Sequence, residues 1–239
     1  MMKDIDAFAP CRSILVVAAH ADDLETMCGG TLIQLLAQGK RVDLLLATDG
    51  DLGSSDPALA KPALAVLRRE EARRAAKLLG LGHVEFLGYH DGELVNNLTL
   101  RRQVAHVYRR LQPDTIFTFD PIAAYRGNLH PDHMAVGRAA LDAFMPAKMP
   151  LYHPEQLARD ISLSQVKHIF CFSTPEPDIV VPIDEVYEEK LAISMVHKSQ
   201  FPDGEKSLEW MKERDRTTAR QYAQETVQFA EAFRSIRTY

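Results

Sequence analysis

Ser13-Ile14-Leu15-Val16-Val17-Ala18-Ala19-His20-Ala21-Asp22-Asp23-Leu24-Glu25 runs from an unbroken apolar segment straight into a histidine and two aspartates. The apolar part is long enough for one strand, and runs of this kind are typical of strands covered on both faces in α/β proteins. In such sheets the ligand site lies just beyond the carboxyl ends of the strands. His20, Asp22 and Asp23 therefore stand where a reaction can be run.

Outward from that stretch, the spacing predicts a helix over 31–38, stopped near Gly39, and a second buried strand over 41–47. Strand, helix and strand in quick succession imply a parallel sheet with a right-handed crossover. A polar run of turn-formers, 48–57, follows, either a site-lining lid or a flexible connection. The next helix, 64–79, has Leu64, Leu67, Ala75 and Leu78 at core spacing and Gly80 as its stop. Arg68 and Glu71 fall in the same phase. Charges there need either each other, as an i,i+3 ion pair, or a polar cavity.

A third strand over 84–87, a helix over 98–111 and a strand over 115–119 come next. An irregular stretch, 120–129, leads into His130-Pro131-Asp132-His133 and a helix reaching about Phe144. Beyond Met145 the rhythm weakens. Strands are expected over 166–172 and 179–181, the second at an edge because prolines flank it. Asp184 is the expected N-cap of a helix reaching His197, and a last helical region carries Tyr222, Thr226, Phe229 and Phe233 on one face. The expected architecture is α/β: a Rossmann-like sandwich with a mostly parallel central sheet, helices on both faces, and a less regular C-terminal part. It is read as one domain over 1–239, with a core at about 13–145 and an extension at 146–239.

A formal charge of −5 argues against a general nucleic-acid binder, which needs clustered positive charge. Cys11, Cys28 and Cys171 are odd in number and widely spaced, which is no disulfide framework and suits a reducing cytosol. The first residues lack a signal peptide's basic start and apolar core, and no apolar segment approaches the roughly 20 residues of a membrane span. The expected location is the cytoplasm.

Zinc takes nitrogen and oxygen ligands, and a catalytic site offers three from the protein plus an open position for water. His20 and Asp23, three apart where a strand turns into a loop or helix, can converge on one ion but not complete its shell. His130 and His133 follow another strand and should reach the same sheet edge, with His133 the natural third ligand. That leaves Asp22 beside the metal but free, and His130 one turn back. Cys28 is a packing residue rather than a fourth ligand, since a thiolate would close the position water needs. His83, His90, His106, His153 and His168 belong to no motif and are expected at surfaces, in turns or on a strand's polar side.

With both clusters in view, the chain resembles the PIG-L/LmbE-like family of zinc-dependent N-deacetylases. The matching motifs are His20-Ala21-Asp22-Asp23-Leu24-Glu25 with Gly29-Gly30-Thr31, and His130-Pro131-Asp132-His133 with Gly137. Arg68-x-x-Glu71 ahead of Leu79-Gly80, Asp91-Gly92-x-Leu94 and His197-Lys198-Ser199-Gln200 extend the likeness over about 13–200. Ala21 stands where the family usually has proline, a swap that should not disturb the ligands.

The resemblance implies that His20, Asp23 and His133 hold one zinc ion per chain, that Asp22 is the general base, and that His130 stabilises the oxyanion. Asp132 orients or charges a neighbouring histidine, or else is the N-cap of the following helix. Arg68, Asp91 and His197 are the implied substrate-binding positions; for His197 the alternative is a cap on its own helix. The implied substrate is a small N-acetylated amino sugar or its conjugate. Hydrolysis of another amide, in a mycothiol- or bacillithiol-type conjugate, and a catalytically silent sugar-binding module are the rivals. Members of the family are often oligomeric, so a homo-oligomer stays open.

Overall fold

The structure is a computed structural model that describes residues 4–54, 56, 58–123, 129–157 and 160–238. Seven strands form one sheet: β1 (Ser13–Ala18), β2 (Arg41–Thr48), β3 (Val84–Tyr89), β4 (Thr115–Phe119), β5 (His168–Phe172), β6 (Ile179–Pro182) and β7 (Ala230–Ile236). Their order is β3-β2-β1-β4-β5-β7-β6. The first five pair in parallel, and only β7 runs against its neighbours. Every residue of β1 after Ser13 is buried, as a central strand of a two-faced sheet must be. The chain leaves β1 toward β2 and leaves β4 toward β5, so the order reverses between these two adjacent strands. The crevice beyond their carboxyl ends is where such sheets bind ligands.

Among the described residues six helices cover the sheet: α1 (Asp23–Ala37), α2 (Lys61–Leu79), α3 (Leu98–Leu111), α4 (Pro131–Lys148), α5 (Tyr187–Ser194) and α6 (Glu209–Tyr222). The expected bounds of α3 and β4 coincide with the observed ones, and β6 lies at an edge as its prolines implied. Among the described residues no helix is long and apolar enough to cross a membrane.

Several expectations are corrected. α1 begins at Asp23 rather than at residue 31, because its first half is buried nearly all round, Leu24 to Gly30, and so shows no amphipathic period. On α2, Leu67 and Leu78 are 40% and 65% exposed, and the buried face instead carries Leu64, Arg68, Glu71, Ala72 and Ala75. Polar partners from other elements make that face tolerable. Asp184 caps nothing by its side chain: it opens a 3-10 turn ahead of α5, and its carboxylate accepts the Gln228 N–H across a loop. α5 stops at Ser194, short of His197.

The last helical region is wrong beyond Tyr222. Phe229 and Phe233 belong to the approach and body of β7, where pairing to β5 and β6 overrides the helix-favouring alanines and glutamate. Residues 55, 57 and 124–128 of the two irregular loops lie outside the described residues.

Candidate active site

β1 ends at Ala18, and the turn it makes into α1 carries His20, Asp22 and Asp23. The Asp23 carboxylate folds back on that turn: its Oδ2 accepts the N–H groups of Ala19 (3.0 Å) and His20 (2.7 Å). Its Oδ1 is left 3.2 Å from His133 Nε2. His133 comes from the first turn of α4 and stacks on Phe119, the last residue of β4, with ring centroids 3.8 Å apart and planes 10° from parallel. One turn further along α4, a Cβ on Gly137 would stand 2.3 Å from the Phe119 carbonyl oxygen. Only glycine lets the helix lie this close to the strand, and that closeness carries His133 to the end of β1.

His20 Nδ1 is 3.1 Å from His133 Nε2 and 3.5 Å from Asp23 Oδ2. Donors about 2.0–2.1 Å from a tetrahedral ion stand roughly 3.4 Å from one another, so these spacings suit a single shared zinc-sized cation. Two imidazole nitrogens and a carboxylate at this range need a proton or a cation between them. The far nitrogen of His20 is spoken for, with Nε2 3.0 Å from Asp91 Oδ1 and 3.4 Å from Asp132 Oδ2. His20, His130 and His133 form one close group, and His20, Asp91, His130 and Asp132 form another. There, however, both Asp132 oxygens already accept backbone N–H groups, from Gly92 (2.7 Å) and Leu94 (3.0 Å). The cluster as a whole is able to hold a metal ion, and His20 Nδ1, Asp23 Oδ1 and His133 Nε2 come together at one side of it.

The charged groups of the cluster act strongly on one another. Burial raises the Asp23 carboxyl, but the His133 and His20 rings overcome that and hold it well below its ordinary value. Burial lowers His20, yet Asp23, Asp132 and Asp91 together drive it well above. His130 goes the other way, lowered by burial and by the neighbouring His20 and His133. Its Nδ1 accepts the Asp132 N–H (3.3 Å), so the neutral ring carries its proton on Nε2. His130 is thus itself the N-cap of α4, which removes the capping alternative for Asp132.

Asp22 sits at the start of α1 without capping it. Its Oδ1 instead takes a 2.7 Å hydrogen bond from Arg68, whose guanidinium also donates to the Gly50 carbonyl (3.0 Å). A Cβ on Gly50, which has a φ of 64°, would fall 2.5 Å from that guanidinium. The i,i+3 pairing of Arg68 with Glu71 is not formed: Glu71 accepts the N–H (2.9 Å) and hydroxyl (2.6 Å) of Ser199. Asp91 lines the site, but its Oδ1 faces His20 and its Oδ2 is 3.8 Å from Arg68. His197 is fully buried behind the site, 3.3 Å from Glu25 Oε2, and is not among the lining residues. Cys28 is buried too, its thiol pushed well above the ordinary range by burial, then by Glu231.

These groups surround a chamber of about 260 Å³. Met27, Gly53, Gln200 and Trp210 also line it, and sequence reasoning gave none of them a role. Gln200 stood inside a quoted motif. Trp210 lies on α6, far along the chain, with no motif to mark it.

Residues 15–144 match the family described as PIG-L: GlcNAc-PI de-N-acetylase. The chain is 31% identical over 198 residues to the diacetylchitobiose deacetylase of Thermococcus kodakarensis, covering 83% of this chain and 73% of that one. It is 28% identical over 197 residues to a probable N-acetyl-alpha-D-glucosaminyl L-malate deacetylase 2 of Bacillus cereus, covering 79% and 84%. The N,N′-diacetylchitobiose deacetylase structure from Pyrococcus horikoshii superposes with a TM-score of 0.89 at 29% identity, over 97% of this chain and 86% of that one. With the family match spanning more than half its length and running from β1 through the first turns of α4, which carry the histidines and aspartates of the site, this chain belongs to the PIG-L family.

Proposed function

We propose that this protein is a zinc-dependent hydrolase that removes the acetyl group from an N-acetylated amino sugar of the N-acetylglucosamine type. The observation that carries the reading is the convergence of His20 Nδ1, Asp23 and His133 Nε2 within 3.1–3.5 Å, next to an aspartate held by a buried arginine. His20, Asp23 and His133 are the residues that would hold the ion, one per chain. Zinc there would act as a Lewis acid and bring the pKa of a bound water to about 7.

The rest is the work of the chain's own side chains. Asp22 lines the chamber, and Arg68 fixes one of its oxygens, so the carboxylate is oriented before substrate arrives. It takes the proton from the attacking water and delivers it to the departing amine. His130, neutral and with its proton on Nε2, offers an N–H to the oxyanion; a donor of this kind is worth roughly 3–4 kcal/mol of barrier. Asp132 and Asp91 act through His20, holding its ring so that Nδ1 faces the metal position. Arg68 serves Asp22 first, and His197 supports the turn from behind through Glu25.

The deacetylases of chitobiose and of a glucosaminyl malate among the relatives support this chemistry and leave the conjugate as the second question. The presence of Asp22 speaks against a silent binding module. Three buried free cysteines are in keeping with the reducing cytoplasm. The test is acetate release from N-acetylglucosamine, N,N′-diacetylchitobiose and N-acetylglucosaminyl malate by metal-stripped and zinc-restored protein. Release from at least one substrate, only after zinc is restored, is expected. Equal release by the stripped protein, or none from any amide, overturns the reading; calorimetric sugar binding without acetate would favour the silent module.

A further inference from the structure

The chamber around the cluster, at about 260 Å³, is smaller than the roughly 300–1,000 Å³ of ordinary ligand pockets. It has room for little more than the acetamido-bearing ring. Trp210, the only tryptophan in the chain, lines that chamber and also a neighbouring cleft of about 570 Å³. Nearly half of its surface is exposed, an unusual position for the largest apolar side chain unless something covers it.

The indole is braced. The Arg214 guanidinium lies 5.4 Å from the ring centroid and is itself tied to Asp215 and to the Thr26 carbonyl in the first turn of α1. An aromatic face fixed at the rim of a sugar site, with the rest of its surface open to a cleft, is the surface on which the apolar C–H face of a pyranose ring stacks. The charges say which kind of group belongs there. The cleft wall carries Glu213 and Arg214, and Arg214, its only cation among the described residues, is already paired with Asp215. A carboxylate or phosphate would find no unspent positive charge, whereas a neutral ring meets none of this opposition.

Resting on the deacetylase reading above, we propose that Trp210 is the platform for the ring attached to the acetylated sugar, and that its cleft makes this protein selective for uncharged oligosaccharides of N-acetylglucosamine over acidic conjugates.

A lone tryptophan supplies its own reporter. Titrating the zinc-loaded protein with N,N′-diacetylchitobiose should change Trp210 emission with saturation, and N-acetylglucosaminyl malate should do so only weakly. In kinetics, Trp210→Ala should reduce the disaccharide-over-monosaccharide ratio of kcat/KM by about tenfold, chiefly through KM, and Trp210→Phe should recover most of it. Circular dichroism confirms that both variants fold. Turnover of the disaccharide with unaltered emission, or an unaltered ratio in Trp210→Ala, overturns the subsite while leaving the deacetylase reading intact. Saturable emission change without acetate from any sugar does the reverse.

Discussion

Asp22 and Asp23 are neighbours in the chain but face different partners, one an arginine and the other two histidines and the backbone. In the proposed mechanism this separates proton transfer from metal holding, and the two can be dissected. Asp22→Asn keeps a side chain able to accept from Arg68, so zinc content by atomic absorption should stay at about one per chain while acetate release falls roughly 10²–10⁴-fold. His133→Ala should lose the ion itself. An Asp22→Asn protein that loses zinc, or a His133→Ala protein that keeps it with full turnover, would reverse the assignment. At this scale the sequence revealed which residue types meet, because each cluster follows a strand that reads clearly. It did not reveal that Arg68 serves Asp22, since a buried cation on α2 declares its partner only in three dimensions. Nor did it show the backbone N–H that the His130 ring accepts.

Among the elements, the β4–α4 contact has the least slack. Gly137→Ala would drive a Cβ to 2.3 Å from the Phe119 carbonyl oxygen, a backbone atom that cannot turn aside. The helix must shift outward, taking His133 with it. The expected result is a lower Tm and a 10–100-fold weaker zinc affinity by competition with a chelator, the range seen when the supports of a metal ligand are disturbed. An unchanged affinity would mean that α4 is not what places His133. α3, with its clear helical period, and β4, a short buried run set off by Pro113, could be read residue for residue. α1 hid its start because its first half is buried nearly all round, and β7 resembled a helix because its partners lie 61–67 residues earlier in the chain for β5 and 48–54 for β6, far from any local signal.

Across the whole molecule, the C-terminal part is stitched to the sheet by buried charge. Lys190 of α5 lies fully buried between Asp215 (2.5 Å) and Glu231 (2.8 Å), and Glu231 in turn accepts the Gly30 and Thr31 N–H groups of α1. Asp120, just beyond β4, is gripped by Arg234 of β7 at 2.6 and 2.7 Å. Burial raises the Asp120 carboxyl, but Arg234 and Thr174 bring it below its ordinary value. A depressed carboxyl adds stability that is complete above its unfolded pKa of about 3.9 and disappears as the pH falls through the folded value. Asp120→Asn should therefore lower stability at neutral pH by roughly 3 kcal/mol, since it strands a partly buried guanidinium. It should also flatten the acid limb of the wild-type Tm-against-pH curve below about pH 4. A parallel acid limb in the variant would show that this pair does not set it.

The place of β7 also bears on biosynthesis. Because β7 follows the other six strands of the sheet in chain order yet lies between β5 and β6, both of those are made before the piece that joins them exists. Until then β6 has no seat in the sheet, and β5 presents Phe170 and Phe172 along a bare margin. Chains truncated just ahead of Ala230 and released from the ribosome should be cleaved readily by protease around β6 and recruit chaperones, whereas released chains extended through Ile236 should resist.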